Sequence, residues 1–268
     1  MIGAIVGDIV GSRFEWHNIK NKDFELFTPE CRPTDDSIMT LALAQAILKS
    51  QPDGSDLSQN VVTWMQVLGR SYPYAGYGGR FRRWIFSPAP QPYKSFGNGA
   101  AMRVSPAGFA ASSLEEAKEL ARKVTEVTHN HPEGIKAAEA TASAIYLART
   151  GKNLSELREF IHENYYPMDF TLDEIRDSYR FDVTCQGSVP QAFMAFFAST
   201  SFEDAIRNAI SIGGDSDTIA AICGGIAEAY YGVPDAIRER ALTFLDARLT
   251  QILTAFESKY PPVKARTP

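Results

Sequence analysis

The chain has 268 residues, a length that suits one large domain or two small ones and needs no disulfides to support a core. Hydrophobic residues make up 44% of it, and the formal net charge is −5 at pH 7. Nucleic-acid and membrane-surface binders need clustered positive charge, so this balance argues against general binding of either kind. The composition predicts an ordinary globular protein.

The cysteines and the apolar runs bear on the cellular location of the protein. Cys31, Cys185 and Cys223 are odd in number and widely spaced, which predicts neither a disulfide framework nor a zinc site. No apolar run reaches transmembrane length, and Asp8 interrupts an apolar start that lacks the basic residues of a signal peptide. We therefore expect a cytoplasmic protein with no membrane partner.

The first predicted element is a helix with a stripe of glycines. Gly3, Gly7 and Gly11 recur every four residues, a spacing that places them on one face of a helix. A stripe this short indicates close packing against another helix inside a soluble core. The pair Gly224–Gly225, in a second helix of small residues, is the expected counterpart.

The rest of the chain also predicts helices. Helical periodicity recurs at 38–48, 135–149 and 218–231, and segment 237–256 places apolar residues near one face. Segments 72–79 and 87–98, rich in Gly, Pro and aromatic residues, are predicted as long functional loops, and 164–187 as irregular. Helix starts are predicted from cap-like pairs and first-turn prolines: Asp56/Gln59, Ser113/Glu116, Asn153/Glu156, Ser201/Asp204, Pro132 and Pro234. No strands alternate convincingly, so a single all-α domain over 1–268 is expected.

Two short acidic segments precede predicted helices, and they carry the chemistry. They are Thr34-Asp35-Asp36-Ser37 and Gly213-Gly214-Asp215-Ser216-Asp217-Thr218. Each alone fits a helix cap, because Asp, Ser and Thr are favoured there and acids suit the positive helix end. One cap needs only one such residue, however. Two acids in each of two places exceed that need.

Four carboxylates brought together would repel one another, and two divalent cations would neutralise their formal charge. The ligand set is all oxygen with no neighbouring His or Cys, which suits Mg²⁺ or Mn²⁺ better than Zn²⁺. Paired metals are a known device for hydrolysis. The residues alone therefore indicate a binuclear Mg²⁺ or Mn²⁺ site, with simple capping as the alternative.

These two motifs together resemble the signature pair of the ADP-ribosylglycohydrolase family. That family includes the dinitrogenase reductase-activating glycohydrolase and hydrolases of arginine- and serine-linked ADP-ribose, and the serine branch is nearest in motif. The resemblance continues through 3–15, 97–103, 128–129 and 220–232. It implies an all-α orthogonal bundle with two Mg²⁺ or Mn²⁺ ions, Asp217 being the expected bridging ligand. The implied metal ligands are Thr34, Asp35, Asp36, Asp215, Asp217 and Thr218.

The resemblance also implies catalytic and substrate-binding residues. Glu15 matches a glutamate that lies beside the metals in the serine branch and takes part in acid–base chemistry, the alternative being a solvated surface residue. The implied catalytic set is Glu15, Asp36 and Asp217. The implied substrate-binding set is Gly76, Tyr77, Gly78 and Gly79 against a diphosphate, Gly97, Asn98 and Gly99 as a second lining segment, and His129 in the ADP-ribose pocket. Both glycine segments alone would also fit plain loops or turns.

Three further features lie outside these sets. Arg80, Arg82 and Arg83 would steer phosphates or the modified target, or would simply form a solvated helix face. Arg103 is expected to pair with a buried acid instead of contacting ligand. His131 is expected to cap the helix that begins at Pro132.

The expected function is hydrolytic removal of ADP-ribose from an ADP-ribosylated protein or other macromolecule, at the anomeric carbon of the distal ribose. One alternative is a catalytically silent relative that binds ADP-ribose or has a structural role, as lens crystallins of this family do. The intact acidic motifs and Glu15 count against it. A nucleotide phosphohydrolase is the less favoured alternative, because a glutamate-rich phosphohydrolase helix is absent. The linkage stays open among arginine, serine, nucleic acid and small molecules, with Glu15 and His129 favouring an O-linked bond.

Overall fold

A computed structural model describes residues 1–265, which fold into α-helices joined by loops. Strand-type pairing among these residues is limited to one isolated antiparallel bridge between Gly97 and Thr184. The all-α prediction is therefore confirmed. The helices are α1 (Ile2–Gly11), α2 (Asp35–Lys49), α3 (Leu57–Ser71), α4 (Gly79–Phe86), α5 (Gly99–Met102), α6 (Ser105–Ala110), α7 (Leu114–Thr125), α8 (Pro132–Arg149), α9 (Leu154–Asn164), α10 (Leu172–Arg176), α11 (Cys185–Phe197), α12 (Phe202–Ser211), α13 (Ser216–Tyr231), α14 (Asp235–Leu242) and α15 (Ala247–Lys259).

The helices α1 and α13 pack against each other with their backbones in direct contact. A Cβ atom on Gly7 would overlap the carbonyl group of Ala220, and one on Gly3 would overlap the carbonyl oxygen of Gly224. Every residue of α1 is buried. The glycine stripe thus allows a closer approach than side chains would permit, and Gly224 is its counterpart as predicted.

Helices α2, α8, α11 and α12 surround this central pair. The predicted helical segments 38–48, 135–149 and 218–231 lie inside α2, α8 and α13, so their periodicity was interpreted correctly. The buried face of α8 consists largely of small residues, among them Ala137, Ala140 and Ala144. Small side chains let α6, α7 and α13 approach α8 closely.

Most predicted helix starts are confirmed. Ser113, Asn153 and Ser201 each accept a hydrogen bond from the backbone N–H three residues further on, and Asn153 completes a full capping box. Pro132 lies in the first turn of α8, and the His131 side chain caps that helix. These caps satisfy backbone donors that have no partner within their own helix.

Helices α3 and α14 do begin directly after Asp56 and Pro234, but two details of these starts and one helix length differ from the prediction. The Asp56 side chain turns back to accept from the N–H of Gln51 at 2.9 Å and makes no cap bond to α3. Pro234 is the residue before α14, not a residue of its first turn. Segment 237–256 is two helices, because Asp246 caps a new helix by accepting from the N–H of Leu249 at 2.9 Å.

The long segments predicted as loops lie almost entirely outside the helices. Residues 72–78 and 87–98 are free of helix, and the last residue of the predicted 72–79 loop, Gly79, is instead the first residue of α4. Segment 164–187 is mostly irregular, but it also holds α10 and the start of α11. The short helix α10 begins with a capping box between Thr171 and Glu174 that the sequence analysis overlooked.

The cysteines and the apolar character of the helices bear on the expectations drawn from composition. The three cysteines are buried and unpaired, in keeping with their spacing. Within residues 1–265, the helices fall short of the length and apolar character that crossing a membrane requires. The division of the chain into domains stays a prediction.

Candidate active site

The two acidic motifs meet at the end of α1. Asp35 and Asp36 occupy the first turn of α2, whereas Asp215 and Asp217 flank the start of α13. Because α1 packs against both helices, it brings their N-termini together from distant parts of the sequence. The positive ends of two helix dipoles therefore face the same carboxylates.

The carboxylates form two groups of three, and within each group one oxygen atom from every carboxylate lies within 4.8 Å of the other two. One group is Glu15, Asp215 and Asp217, and the other is Asp8, Asp36 and Asp217. Asp217 belongs to both, which is the placement that a bridging ligand needs. The loop residue Glu15 thus lies with the acids of the second motif, although the sequence alone would have allowed a surface position.

The carboxylate of Asp36 is left incompletely bonded. Its Oδ2 accepts a hydrogen bond from the Thr218 hydroxyl at 3.3 Å, but its buried Oδ1 has no partner. A buried oxygen without a partner destabilises the fold unless a cation or a hydrogen-bond donor reaches it.

Asp35 is half-buried, lines the same cavity, and donates its backbone N–H to the Ala75 carbonyl at 2.7 Å. Its carboxylate belongs to neither group of three.

Asp8 is a site residue that the sequence analysis missed. Its Oδ1 accepts from the Thr34 hydroxyl at 2.6 Å, and its Oδ2 accepts from the N–H groups of Thr34 at 2.9 Å and Ser37 at 3.0 Å, and from the Ser37 hydroxyl. These bonds fix the start of α2 and turn the Thr34 hydroxyl toward Asp8. The available signal was one carboxylate in an otherwise apolar, glycine-striped helix.

Burial and mutual repulsion oppose ionisation of the cluster. Burial, followed by the neighbouring carboxylates, raises the pKa of Asp35 to about 8. Burial and the charge of Asp215 raise the pKa of Glu15 to about 7. The same causes raise the pKa of Asp36 and of Asp217 well above the ordinary carboxyl range. Carboxylates that are held together in this way favour bound positive charge.

A cavity of about 420 Å³ opens over the cluster. Tyr77 and Thr34 do not line it: Tyr77 is buried with its ring 5.7 Å from that of Phe81. Thr34 lies behind, against Asp8. The predicted site residues that do line the cavity are Glu15, Asp35, Asp36, Gly76, Gly78, Gly79, Gly97, Asn98, Gly99, His129, Asp215, Asp217 and Thr218.

Asn98 connects the second glycine segment to the acidic cluster. Its side-chain nitrogen donates to Asp215 Oδ2 at 2.7 Å and to the Ser188 hydroxyl at 3.1 Å. Its backbone N–H donates to the Val183 carbonyl at 2.8 Å. The amide nitrogen of Asn98 therefore orients a candidate metal ligand, a contact that the sequence analysis did not anticipate.

The loop that carries Glu15 is tied to the second acidic motif by Asn18. The N–H of Gly214 donates to Asn18 Oδ1 at 2.8 Å, and Asn18 Nδ2 donates to the Gly214 carbonyl at 2.9 Å. Gly214 itself has a φ of +77°, a conformation that glycine adopts readily. This reciprocal pair holds the loop beside Asp215, and its sequence signal was too weak to recognise.

Exposed aromatic residues border the mouth of the cavity beside Glu15. Trp16 stacks on Phe181, with ring centroids 5.0 Å apart and planes inclined by 23°. The two side chains are 70% and 41% exposed, and Val183 beside them is 51% exposed. Apolar surface gathered at a cavity mouth is typical of a place where a ligand or partner binds.

The arginines near the cavity differ from one another in position. Arg80, Arg82 and Arg83 are exposed on α4, and only Arg80 among them lines the cavity over the cluster. Arg103 is 1% exposed, and no carboxylate of residues 1–265 forms an ion pair with it. The prediction that Arg103 pairs with a buried acid is wrong, because its guanidinium turns toward Thr128 and His129 instead.

With this geometry in place, the chain can be compared with known proteins. Residues 1–261 match the model of the family described as ADP-ribosylglycohydrolase. The chain belongs to this family. The resemblance inferred from the motifs is confirmed, and so is the predicted enzyme class, a hydrolase that acts on glycosyl bonds.

Relatives of this ADP-ribosylglycohydrolase family member span most of its length. It is 27% identical to ADP-ribosylhydrolase ARH3 of Homo sapiens, over 87% of this chain and 84% of that one. It is 28% identical to the ADP-ribosyl-[dinitrogen reductase] glycohydrolase of Rhodospirillum rubrum, over 75% of this chain and 70% of that one. A solved structure titled an ADP-ribosylglycohydrolase-related protein complex shares the fold, with a TM-score of 0.68, 24% identity, and coverage of 97% of this chain and 95% of that chain.

Proposed function

We propose that this chain hydrolyses the bond between the anomeric carbon of the distal ribose of ADP-ribose and a modified macromolecule, with two bound Mg²⁺ or Mn²⁺ ions. One observation carries the proposal: carboxylates of Glu15, Asp36, Asp215 and Asp217 converge in one cavity, from separate parts of the sequence. The relatives named as ADP-ribosylhydrolases support the substrate class.

The donor set fits a pair of hard divalent cations. Its atoms are all oxygens, it contains a buried Asp36 oxygen without a partner, and its acids resist ionisation in the absence of positive charge. When bound, such ions polarise oxygen atoms and lower the pKa of water. The residues proposed to hold them are Asp35, Asp36, Asp215, Asp217 and Thr218, together with Thr34, whose hydroxyl would have to turn from Asp8 toward the ions.

The chain's own residues divide the remaining tasks. Glu15, a carboxylate whose pKa is raised to about 7, is suited to take a proton from an attacking water and to return one to the leaving group. Asp8 and Asn98 hold the acids of the two motifs in position. Negative charge around the reacting carbon favours the oxocarbenium-like state of glycoside cleavage.

The nucleotide is proposed to lie along the glycine segments. Gly76, Gly78 and Gly79 line the cavity on the Asp35 side, where a Cβ atom on Gly76 would stand 3.0 Å from the Asp35 carboxylate. Unhindered backbone N–H groups there would approach diphosphate oxygens. The group released would leave past Trp16 and Phe181 on the Asp215 side. A cytoplasmic location remains part of this proposal.

The decisive experiment measures release of free ADP-ribose from arginine-, serine- and nucleic-acid-linked substrates in parallel, with Mg²⁺ and with chelator. Asp217→Asn serves as the inactive control. Metal-dependent release from one substrate, lost in the variant, would establish the activity and its linkage. Binding of ADP-ribose without release from any substrate would favour a silent binding protein. Formation of AMP and ribose 5-phosphate would indicate a phosphohydrolase.

A further inference from the structure

A buried arginine on the cavity wall lacks the acidic partner that a buried charge usually has. Arg103 follows α5, lines the cavity and is 1% exposed. Its Nη2 donates to the Thr128 hydroxyl oxygen at 2.6 Å and lies 3.2 Å from His129 Nδ1, while its Nε has no partner. The guanidinium also lies 5.5 Å from the ring of Phe81. Its main polar contacts therefore run to Thr128 and His129.

The chemistry of the guanidinium dictates the protonation of the facing imidazole nitrogen. An arginine side chain has five N–H donors, no acceptor, and stays protonated in proteins. A proton on His129 Nδ1 would leave two N–H groups facing each other across 3.2 Å in the interior. The Thr128 hydroxyl, which accepts from Arg103, lies 2.7 Å from His129 Nδ1 and 3.4 Å from the Thr125 carbonyl oxygen, so Nδ1 is the nearer acceptor for its proton. Arg103 therefore requires a lone pair on Nδ1, and the Thr128 hydroxyl can donate its proton to the same nitrogen.

The other imidazole nitrogen faces the ligand cavity. A Cβ atom on Gly99 would stand 3.4 Å from His129 Nε2, and one on Gly97 would stand 3.6 Å from it. Both glycines and His129 line the cavity, and Nε2 has no hydrogen-bond partner among the described residues. Burial and the charge of Arg103 both lower the pKa of His129, which keeps the ring neutral.

We infer that Arg103 and Thr128 hold His129 as a neutral tautomer with its proton on Nε2, so that the cavity wall presents one fixed N–H donor to an acceptor oxygen of the ligand. Arg103 is then a positioning residue that acts through His129. The tautomer is a property of the free protein. The identity of the ligand oxygen, a hydroxyl or phosphate oxygen of ADP-ribose, rests on the proposed function.

The tautomer is tested directly by long-range ¹H–¹⁵N correlation spectra of the ¹⁵N-labelled protein. His129→Gln assigns the signal of His129 among the four histidines. The expected spectrum has a protonated Nε2 and an unprotonated Nδ1, and Arg103→Met is expected to shift it toward the other tautomer. A protonated Nδ1 in the unmodified protein would overturn the inference, and that spectrum needs no variant to fold.

The positioning role is tested by binding of ADP-ribose in saturating Mg²⁺. Loss of one neutral hydrogen bond in His129→Phe should weaken binding by about tenfold. Arg103→Met should weaken it similarly, and the double variant should bind no worse than either single variant, because both act through the same N–H. Additive losses would mean that Arg103 contacts the ligand itself, which overturns the positioning role. If ADP-ribose does not bind the unmodified protein, the hydrogen bond from His129 to ADP-ribose and the proposed function are both refuted. The NMR spectrum would still decide which tautomer His129 adopts.

Discussion

Gly11 lies directly against the backbone of Asp217: a Cβ atom on Gly11 would stand 2.5 Å from the Asp217 Cα. The last residue of α1 thus touches the carboxylate residue that belongs to both acidic groups. Because close-packed backbones cannot yield locally, a change in this contact must move either the helix or the site.

Gly11→Ala is therefore expected to disturb the site as well as the fold. Overpacking of this kind costs about 1–3 kcal/mol in the free energy of unfolding. Gly3→Ala is the matched variant, since its Cβ would overlap α13 at the far end of the same stripe. Both should lower the Tm, but only Gly11→Ala should also reduce the rise in Tm caused by Mg²⁺. Equal metal responses in thermal melts of the two variants would contradict the coupling.

Mg²⁺ or Mn²⁺ should raise the Tm of the protein, because bound cations relieve repulsion among the buried acids of the cluster and bind only the folded state. Asp217→Asn removes the carboxylate shared by both groups and should blunt this rise. Differential scanning fluorimetry over a metal titration measures both effects. A melting curve unchanged by millimolar metal would count against the site.

The metal-free protein should lose stability as the pH rises from about 6.5 to about 8. The raised pKa values of Glu15, about 7, and Asp35, about 8, mean that the folded state holds more protons than the unfolded chain in this range. The stabilising contribution is full below the ordinary carboxyl pKa of about 4 and is lost as the pH rises through the folded values. His129, whose pKa is lowered, acts in the opposite direction mainly below about 6.5.

This pH dependence is measured from the Tm in chelator and in saturating Mg²⁺ between pH 6.5 and pH 8. Bound cations keep the carboxylates ionised in the folded state, so the slope should flatten with metal. If the Tm of the metal-free protein instead rises from pH 6.5 to pH 8, the acidic cluster does not control the pH dependence of stability.

Asp8→Asn should weaken metal binding even though Asp8 is already saturated by hydrogen bonds. An amide nitrogen cannot accept from Thr34 or Ser37, so the start of α2 should shift and carry Asp36 with it. Loss of a residue that positions a metal ligand typically lowers metal affinity by about 10–100-fold. Calorimetric titration with Mn²⁺ gives the affinity, and the exposed Asp23→Asn is the control. An unchanged affinity for Asp8→Asn would remove Asp8 from the site.

Glu15→Gln should abolish most turnover while leaving ADP-ribose bound. Loss of a positioned acid–base group lowers kcat by roughly 10²–10⁴-fold. The assay uses saturating metal, because Glu15 lies within 4.8 Å of Asp215 and Asp217. Glu25→Gln, an exposed change in the same loop, should behave as the unmodified protein does. Activity retained by Glu15→Gln would leave Glu15 without a catalytic role.

The parts of the molecule that sequence could predict are those with a local or repeated pattern. The glycine stripe and the helical periodicity depend on neighbouring residues in the sequence, so they were interpreted correctly. The doubled acids do meet in one cluster, and their role as metal ligands stays a prediction. Asp8, Asn18 and Arg103 were missed or misassigned because their partners lie far along the chain. A lone polar residue carries no periodic signal, and its role is fixed only when the fold supplies the partner.

The exposed stack of Trp16 on Phe181 gives this molecule a natural optical reporter. Trp16 is 70% exposed beside Glu15 at the mouth of the cavity, whereas Trp84 is buried and Trp64 is half-buried away from the cavity lining. The fluorescence of an indole in that position is that of a solvent-exposed tryptophan, and it changes when a ligand covers the ring. The arrival of a substrate can therefore be timed by intrinsic fluorescence in stopped flow, with no label and with the other two tryptophans as a constant background.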